Sequence, residues 1–234
     1  MIIASNFKTN HTRKSTKDFI ISVNESLKTD QKSEVYIFPT ATSLDTFETH
    51  QNLSIGTQNA YATSCGSFTG EIGSSQLDEF NIKTILIGHS ERRHILNENQ
   101  ASIAEKYQYY MSLGYKIIYC IGEPLEVKEQ GLDKTLEYLY QKLAGIDTSY
   151  ENLILAYEPI WAIGTGVTAT LEDIENVHNA IKEKINKPLL YGGSVKLSNI
   201  SEICKIQNVD GALIGTASWD KNDFIKIIDI TKDL

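Results

Sequence analysis

Apolar positions along the chain gather into eight short runs, beginning near Ile2, Val35, Leu53, Thr84, Lys116, Leu153, Leu189 and Val209. Unbroken apolar stretches such as Leu153-Ile154-Leu155-Ala156-Tyr157 predict strands buried on both faces, since a half-exposed strand would alternate. Most runs are followed by helical spacing. Ser15-x-x-Asp18 predicts a helix start, with Phe19, Ile20, Val23 and Leu27 on one apolar face. Thr170-x-x-Asp173 opens another, with an inner face of Leu171, Ile174, Val177, Ile181 and Ile185. Only 18 positions separate Val35 from Leu53, so the second and third helices must be short. No Pro/Ser-rich linker interrupts the series, which predicts an α/β fold in a single domain over residues 1–234.

Eight strand-helix units can form an open doubly wound sheet or a closed barrel, and the polar residues that end the runs discriminate. Asn6 and Lys8 end the first run, His89 the fourth, Glu158 the sixth, Gly192-Gly193-Ser194 the seventh and Gly215-Thr216 the eighth. An open sheet would string these along an edge, whereas a closed (β/α)8 barrel gathers them around one mouth. The barrel is the expected fold, and 234 residues suit its usual size of about 250.

Composition narrows the partners. A formal charge of −8 disfavours nucleic acid and anionic membranes, so an anionic substrate needs a local positive site. Cys65, Cys120 and Cys204 form no C-x-x-C pair, which predicts free thiols in a reducing cytoplasm. The start of the chain lacks the pattern of a signal peptide, and no run reaches the ~18 residues of a membrane span.

The chemistry centres on Glu158. Pro159 has no N–H and disfavours helix before it, so the strand stops and leaves the carboxylate at its end. The apolar Ile160, Trp161, Ala162, Ile163 and Val167, with Gly164 and Gly166, suggest a lid that expels water from Glu158. Glycines in the last two loops allow backbone N–H groups to approach an anion closely. Lys8 is expected on the same face as Asn6 by the strand period of two, with Glu91 beside it across the mouth. At a helix N-terminus His89 would stay neutral and donate a hydrogen bond to a carbonyl oxygen. No H-E-x-x-H, comparable metal spacing or dinucleotide fingerprint is present. A carboxylate, an imidazole, an ammonium and a phosphate cradle suit proton abstraction beside a carbonyl. A Schiff-base aldolase would need a lysine free of carboxylate neighbours, and a non-catalytic sugar-phosphate sensor would not need both Glu158 and a lid.

Four motifs in register, Asn6-Phe7-Lys8, Gly88-His89-Ser90-Glu91-Arg92-Arg93, Tyr157-Glu158-Pro159-Ile160-Trp161-Ala162-Ile163-Gly164-Thr165-Gly166 and Tyr191-Gly192-Gly193-Ser194, resemble the triosephosphate isomerase family. That family is itself the standard example of a glutamate base working with a neutral imidazole. The resemblance implies a TIM barrel, no cofactor and a triose phosphate substrate. By it, Glu158 shuttles the proton between C1 and C2, His89 is the neutral electrophile, and Asn6 and Lys8 are polarising contacts. Gly164, Ser194, Gly215 and Thr216 would bind phosphate, with Ser90 and Glu91 in support. It also implies a homodimer in which Phe68-Thr69-Gly70-Glu71 is an interdigitating loop. Thr69 would reach the partner's Asn6 to Asn10 loop, and Glu71 would pair with Arg92 of the partner subunit. The 15-residue segment Asn59 to Gly73 is long for a βα loop and carries Tyr61, Phe68 and Ile72. The chain departs from the family with Phe7 for Trp, Thr9 for Met and Thr216 for Gly. It is also shorter than most relatives, which implies trimmed helices after the second and seventh runs.

Overall fold

The computed structural model describes residues 1–28, 32–163 and 168–234. Eight strands, β1 (Ile2–Asn6), β2 (Glu34–Phe38), β3 (Leu53–Ile55), β4 (Thr84–Ile87), β5 (Lys116–Ile121), β6 (Leu153–Tyr157), β7 (Leu189–Tyr191) and β8 (Gly211–Ile214), lie in one parallel sheet. Their order is β3-β2-β1-β8-β7-β6-β5-β4. A parallel bridge between Thr57 and Ile85 joins the two ends and closes the barrel. Each strand begins within two residues of the position its apolar run predicted.

The helices among the described residues are α1 (Arg13–Ser26), α2 (Ser74–Glu79), α3 (Ser90–His94), α4 (Gln100–Ser112), α5 (Leu125–Lys128), α6 (Leu132–Gln141), α7 (Leu171–Lys184), α8 (Ile200–Ile203) and α9 (Lys221–Thr231). The trimmed units are where they were expected. Only a single 3-10 turn, Ala41–Ser43, follows β2, and α8 has four residues.

Two details differ from the sequence reading. The first helix starts a turn early, because Thr12 is its N-cap and forms a capping box with Ser15. Leu171 is 44% exposed, because it opens α7 on the solvent side and the buried stripe begins at Ile174. Thr170 caps that helix with Asp173, as expected.

Strand periodicity sorts side chains into two cores. Ala4, Tyr36, Phe38, Leu86, Ile118, Cys120, Ile154, Ala156, Leu190 and Leu213 pack together inside the barrel. The alternate residues, among them Ile3, Ile37, Ile117, Tyr119, Leu153, Leu155 and Tyr157, face the helices. At the amino-terminal end the Lys116 ammonium donates to the Tyr36 hydroxyl at 2.7 Å and lies 3.1 Å from Glu34 Oε2.

A buried histidine packs among the outer-core tyrosines. His178 on α7 has Nδ1 3.0 Å from the carbonyl oxygen of Asn208, so Nδ1 carries the proton of a neutral ring. Burial pushes the imidazole down from 6.5 to about 4, with the Asn208 carbonyl opposing. The unfolded chain therefore takes up this proton first as pH falls. The resulting stability is fully present above about pH 6.5 and lost progressively toward pH 4, by up to about 3 kcal/mol. His178→Gln should flatten the acid side of the stability profile over that window; a variant with the parent's slope would contradict this.

Candidate active site

Glu158 directly follows β6 and continues its inward series Ile154, Ala156, Glu158. Its backbone N–H still donates to the Ile121 carbonyl at 2.7 Å, so the residue is fixed by the strand ladder until Pro159 ends it. The carboxyl is nearly fully buried. Oε1 is 3.1 Å from His89 Nε2, and Oε2 accepts the backbone N–H of Ser90 at 3.3 Å. Gly192 makes room for it: a Cβ there would lie 2.7 Å from Glu158 Cγ. Gly192→Ala should push the carboxylate aside and lower kcat by about tenfold or more, a modest case of the ~10² that 1 Å of misplacement costs. Steady-state kinetics beside a thermal melt checks this, and an unchanged kcat would contradict it.

His89 is out of phase with the inward position Leu86 of β4. Gly88, at φ +77°, turns the chain between them and brings the ring to the mouth as the N-cap of α3. Its Nδ1 accepts the backbone N–H of Glu91 at 3.2 Å. A backbone amide can only donate, so Nδ1 presents its lone pair and Nε2 carries the proton of a neutral ring facing Glu158.

Lys8 reaches the same mouth by a different route from the strand parity first supposed. β1 ends at Asn6, and Lys8 adopts a left-handed conformation at φ +53°. Asn6 Oδ1 accepts the Lys8 N–H at 3.0 Å, and Gln58 Nε2 donates to the Lys8 carbonyl at 2.9 Å. The ammonium lies 2.6 Å from Glu91 Oε1, the pairing anticipated across the mouth.

Asn6, Lys8, His89, Glu158, Ile163, the Gly192–Lys196 segment, Leu213 and residues 215–217 line one cavity of about 270 Å³. Ser194 Oγ donates to the Ala162 carbonyl at 2.6 Å, tying the loop after β7 to the residues that follow Glu158. Thr216 opens a 3-10 turn, Thr216–Ser218, without a positive φ, so the backbone there does not require glycine. Gly164, the expected phosphate contact, and the lid residues Thr165 to Val167 lie outside the described residues.

Two supporting residues escaped the sequence reading. Burial, then the neighbouring Glu158 carboxylate, pushes the Cys120 thiol above its ordinary range, so a neutral S–H sits beside the Glu158 carboxylate. Glu123, fully buried just past β5, accepts from the Tyr157 hydroxyl at 3.0 Å and from Trp161 Nε1 at 2.9 Å. Burial raises its carboxyl, opposed by these donors. Trp161 is accordingly half-buried, where an exposed apolar lid residue was expected. The signal available for Glu123 was a lone acid just past an apolar run and directly before a proline, a pattern close to that of Glu158.

Comparison with known proteins bears on this geometry. A family model described as triosephosphate isomerase matches residues 1–231. The chain is 56% identical to the triosephosphate isomerase of Wolinella succinogenes over 229 residues, 97% of this chain and 99% of that one. It is 54% identical to that of Sulfurovum sp. over 97% and 99% of the two chains. Identity to that of Nitratiruptor sp. is 53% over the full length of both. On the closed barrel, the buried glutamate–histidine pair at its mouth and these matches together, the chain belongs to the triosephosphate isomerase family.

Proposed function

We propose that Glu158 carries the reaction by which this member of the family interconverts dihydroxyacetone phosphate and D-glyceraldehyde 3-phosphate, a step shared by glycolysis and gluconeogenesis. The observation that carries the reading is the buried carboxylate 3.1 Å from a histidine Nε2 whose other nitrogen is committed to the Glu91 N–H. A substrate oxygen entering the cavity would replace Oε1 as the acceptor on Nε2. That frees the carboxylate to take the proton from the adjacent carbon.

The electron pair left behind moves toward the carbonyl oxygen, giving an enediolate. Its charge is met by His89 Nε2–H and the Lys8 ammonium, with Asn6 as a further polar contact. The hydroxyl proton on the first carbon's oxygen passes to the oxyanion on its neighbour, the imidazole being placed to relay it, and Glu158 returns its own proton to the neighbouring carbon, so the carboxylate is regenerated and no cofactor is consumed. Ser90 and Glu91 hold the acid-base groups in place. Ser194, Gly215, Thr216 and Gly164 take the phosphate. Coupled assays in both directions test the reading; failure to interconvert the two trioses would end it.

The active unit is a homodimer, on the support of an apolar surface beside the site. Residues 56–73, between β3 and α2, form a finger pinned by backbone hydrogen bonds, Tyr61 N–H to Ile72 O at 2.7 Å and Ser74 N–H to Thr63 O at 2.8 Å. Its aromatic residues are exposed all the same: Tyr61 and Phe68 pack against each other with tilted rings, centroids 4.5 Å apart. Ile95 and Leu96, 70% and 62% exposed, border a cavity of about 690 Å³ lined also by Lys8, Thr9, Asn10 and Arg92. The partner's Thr69 fits such a receptor. The partner's Glu71 would join the pair that Arg92 Nε makes with Glu98 Oε2 at 2.9 Å. The three free thiols support a reducing, cytoplasmic setting. No helix among the described residues is long and apolar enough to cross a membrane.

A further inference from the structure

The cavity holds more charge than the proton transfer uses. Its buried end carries the Glu158 carboxylate, and the Lys8 ammonium beside it is already 2.6 Å from Glu91 Oε1. Glu91 offsets part of the Lys8 charge, so a dianionic phosphate approaching a chain of net charge −8 calls for positive charge beyond Lys8. Lys196, two residues beyond Ser194, also lines this cavity. Its side chain is exposed, and its ammonium has no carboxylate partner among the described residues. The backbone that carries it is fixed: Lys196 N–H donates to Asn199 Oδ1 at 2.7 Å, and Asn199 Nδ2 donates back to the Ser194 carbonyl at 3.0 Å. This clamp holds Lys196 next to the residue proposed to receive the phosphate.

We infer that Lys196 is a specificity-determining residue, supplying the unpaired positive charge at the cavity rim that favours a phosphorylated triose over its uncharged counterpart. The inference rests on the reading that Ser194 and Gly215 mark the phosphate end. Backbone N–H groups there orient the phosphate but carry no net charge, whereas Lys196 attracts a dianion before those hydrogen bonds form. The attraction acts on bound substrate and transition state alike, so it changes capture and affinity and leaves the chemical step alone. Lying at an exposed rim, it is screened by salt.

The test is Lys196→Gln in the full-length enzyme, with Lys205→Gln as a control that removes the same charge from an exposed position past α8. For Lys196→Gln at low ionic strength, KM for glyceraldehyde 3-phosphate and the inhibition constant of inorganic phosphate should rise about three- to tenfold. Its kcat should stay within about twofold of the parent. The difference should fade near 0.5 M salt, where screening shortens to a few ångströms. Turnover of unphosphorylated glyceraldehyde should not change, and Lys196→Arg should restore the parent's affinity. Parental constants in Lys196→Gln, an equal loss on unphosphorylated glyceraldehyde, or the same shift in Lys205→Gln would each overturn the inference. A parent enzyme inactive on triose phosphates would instead strike the reading of the reaction, and the role of Lys196 with it.

Discussion

Glu158→Asp is expected to lower kcat by about 10²-fold while changing substrate affinity far less. The shorter side chain withdraws the carboxylate by about one ångström, and displacement on that scale costs ~10² when the reacting groups must be in contact. The backbone cannot advance to compensate, because the Glu158 N–H is held by Ile121 O at 2.7 Å and Pro159 follows. Nor can the side chain approach from another direction, since Gly192 encloses one side and the Ser90 N–H fixes Oε2. The loss should fall on kcat and kcat/KM together, the signature of an interaction made in the transition state. A variant with kcat within about threefold of the parent would show that Glu158 is not the base.

The second large effect is expected at a residue with no part in the chemistry. Thr69→Arg places a long cation at the exposed tip of the finger, where the proposed dimer needs a small side chain to enter the receptor cavity. The expected product is a folded monomer with kcat lowered about 10²-fold, through loss of position at Lys8. The segment carrying Lys8 is strained, with positive φ at both Lys8 and His11, and strained segments persist only where their surroundings hold them. Within the chain, Gln58 holds the Lys8 carbonyl, and the partner's finger would close the other side. Sedimentation and activity measured on one sample check this. A folded Thr69→Arg monomer with parental activity would sink the coupling, and a monomeric parent would sink the dimer.

Strands were legible because burial on both faces leaves unbroken apolar runs, and Glu158 was legible because it directly follows one such run and meets a proline. Parity failed at Lys8, and it would have failed at His89. In each case a positive φ, at Lys8 itself or at Gly88, redirects the chain after the strand ends, and periodicity carries no information about such turns. Cys120 and Glu123 were missed for a different reason. Their importance lies in contacts with Glu158, Tyr157 and Trp161, more than 30 positions away; nothing local distinguishes the Cys120 thiol from a core residue, and the acid-before-proline pattern at Glu123 does not reveal those partners. The early start of the first helix reflects a choice between two overlapping caps: Thr12 with Ser15 formed, where Ser15 with Asp18 was expected.

If a carboxylate at residue 158 moves a proton through an enediolate, the reaction run in heavy water will record it in the product. A proton held on Glu158 exchanges with solvent before it is returned, so product formed from dihydroxyacetone phosphate should carry solvent deuterium at C2. Glu158→Gln, which keeps the size of the side chain but cannot accept the proton, should abolish both turnover and incorporation. Product that keeps its original hydrogen and carries no solvent deuterium, or label still entering in Glu158→Gln at the parental rate, would contradict the claim.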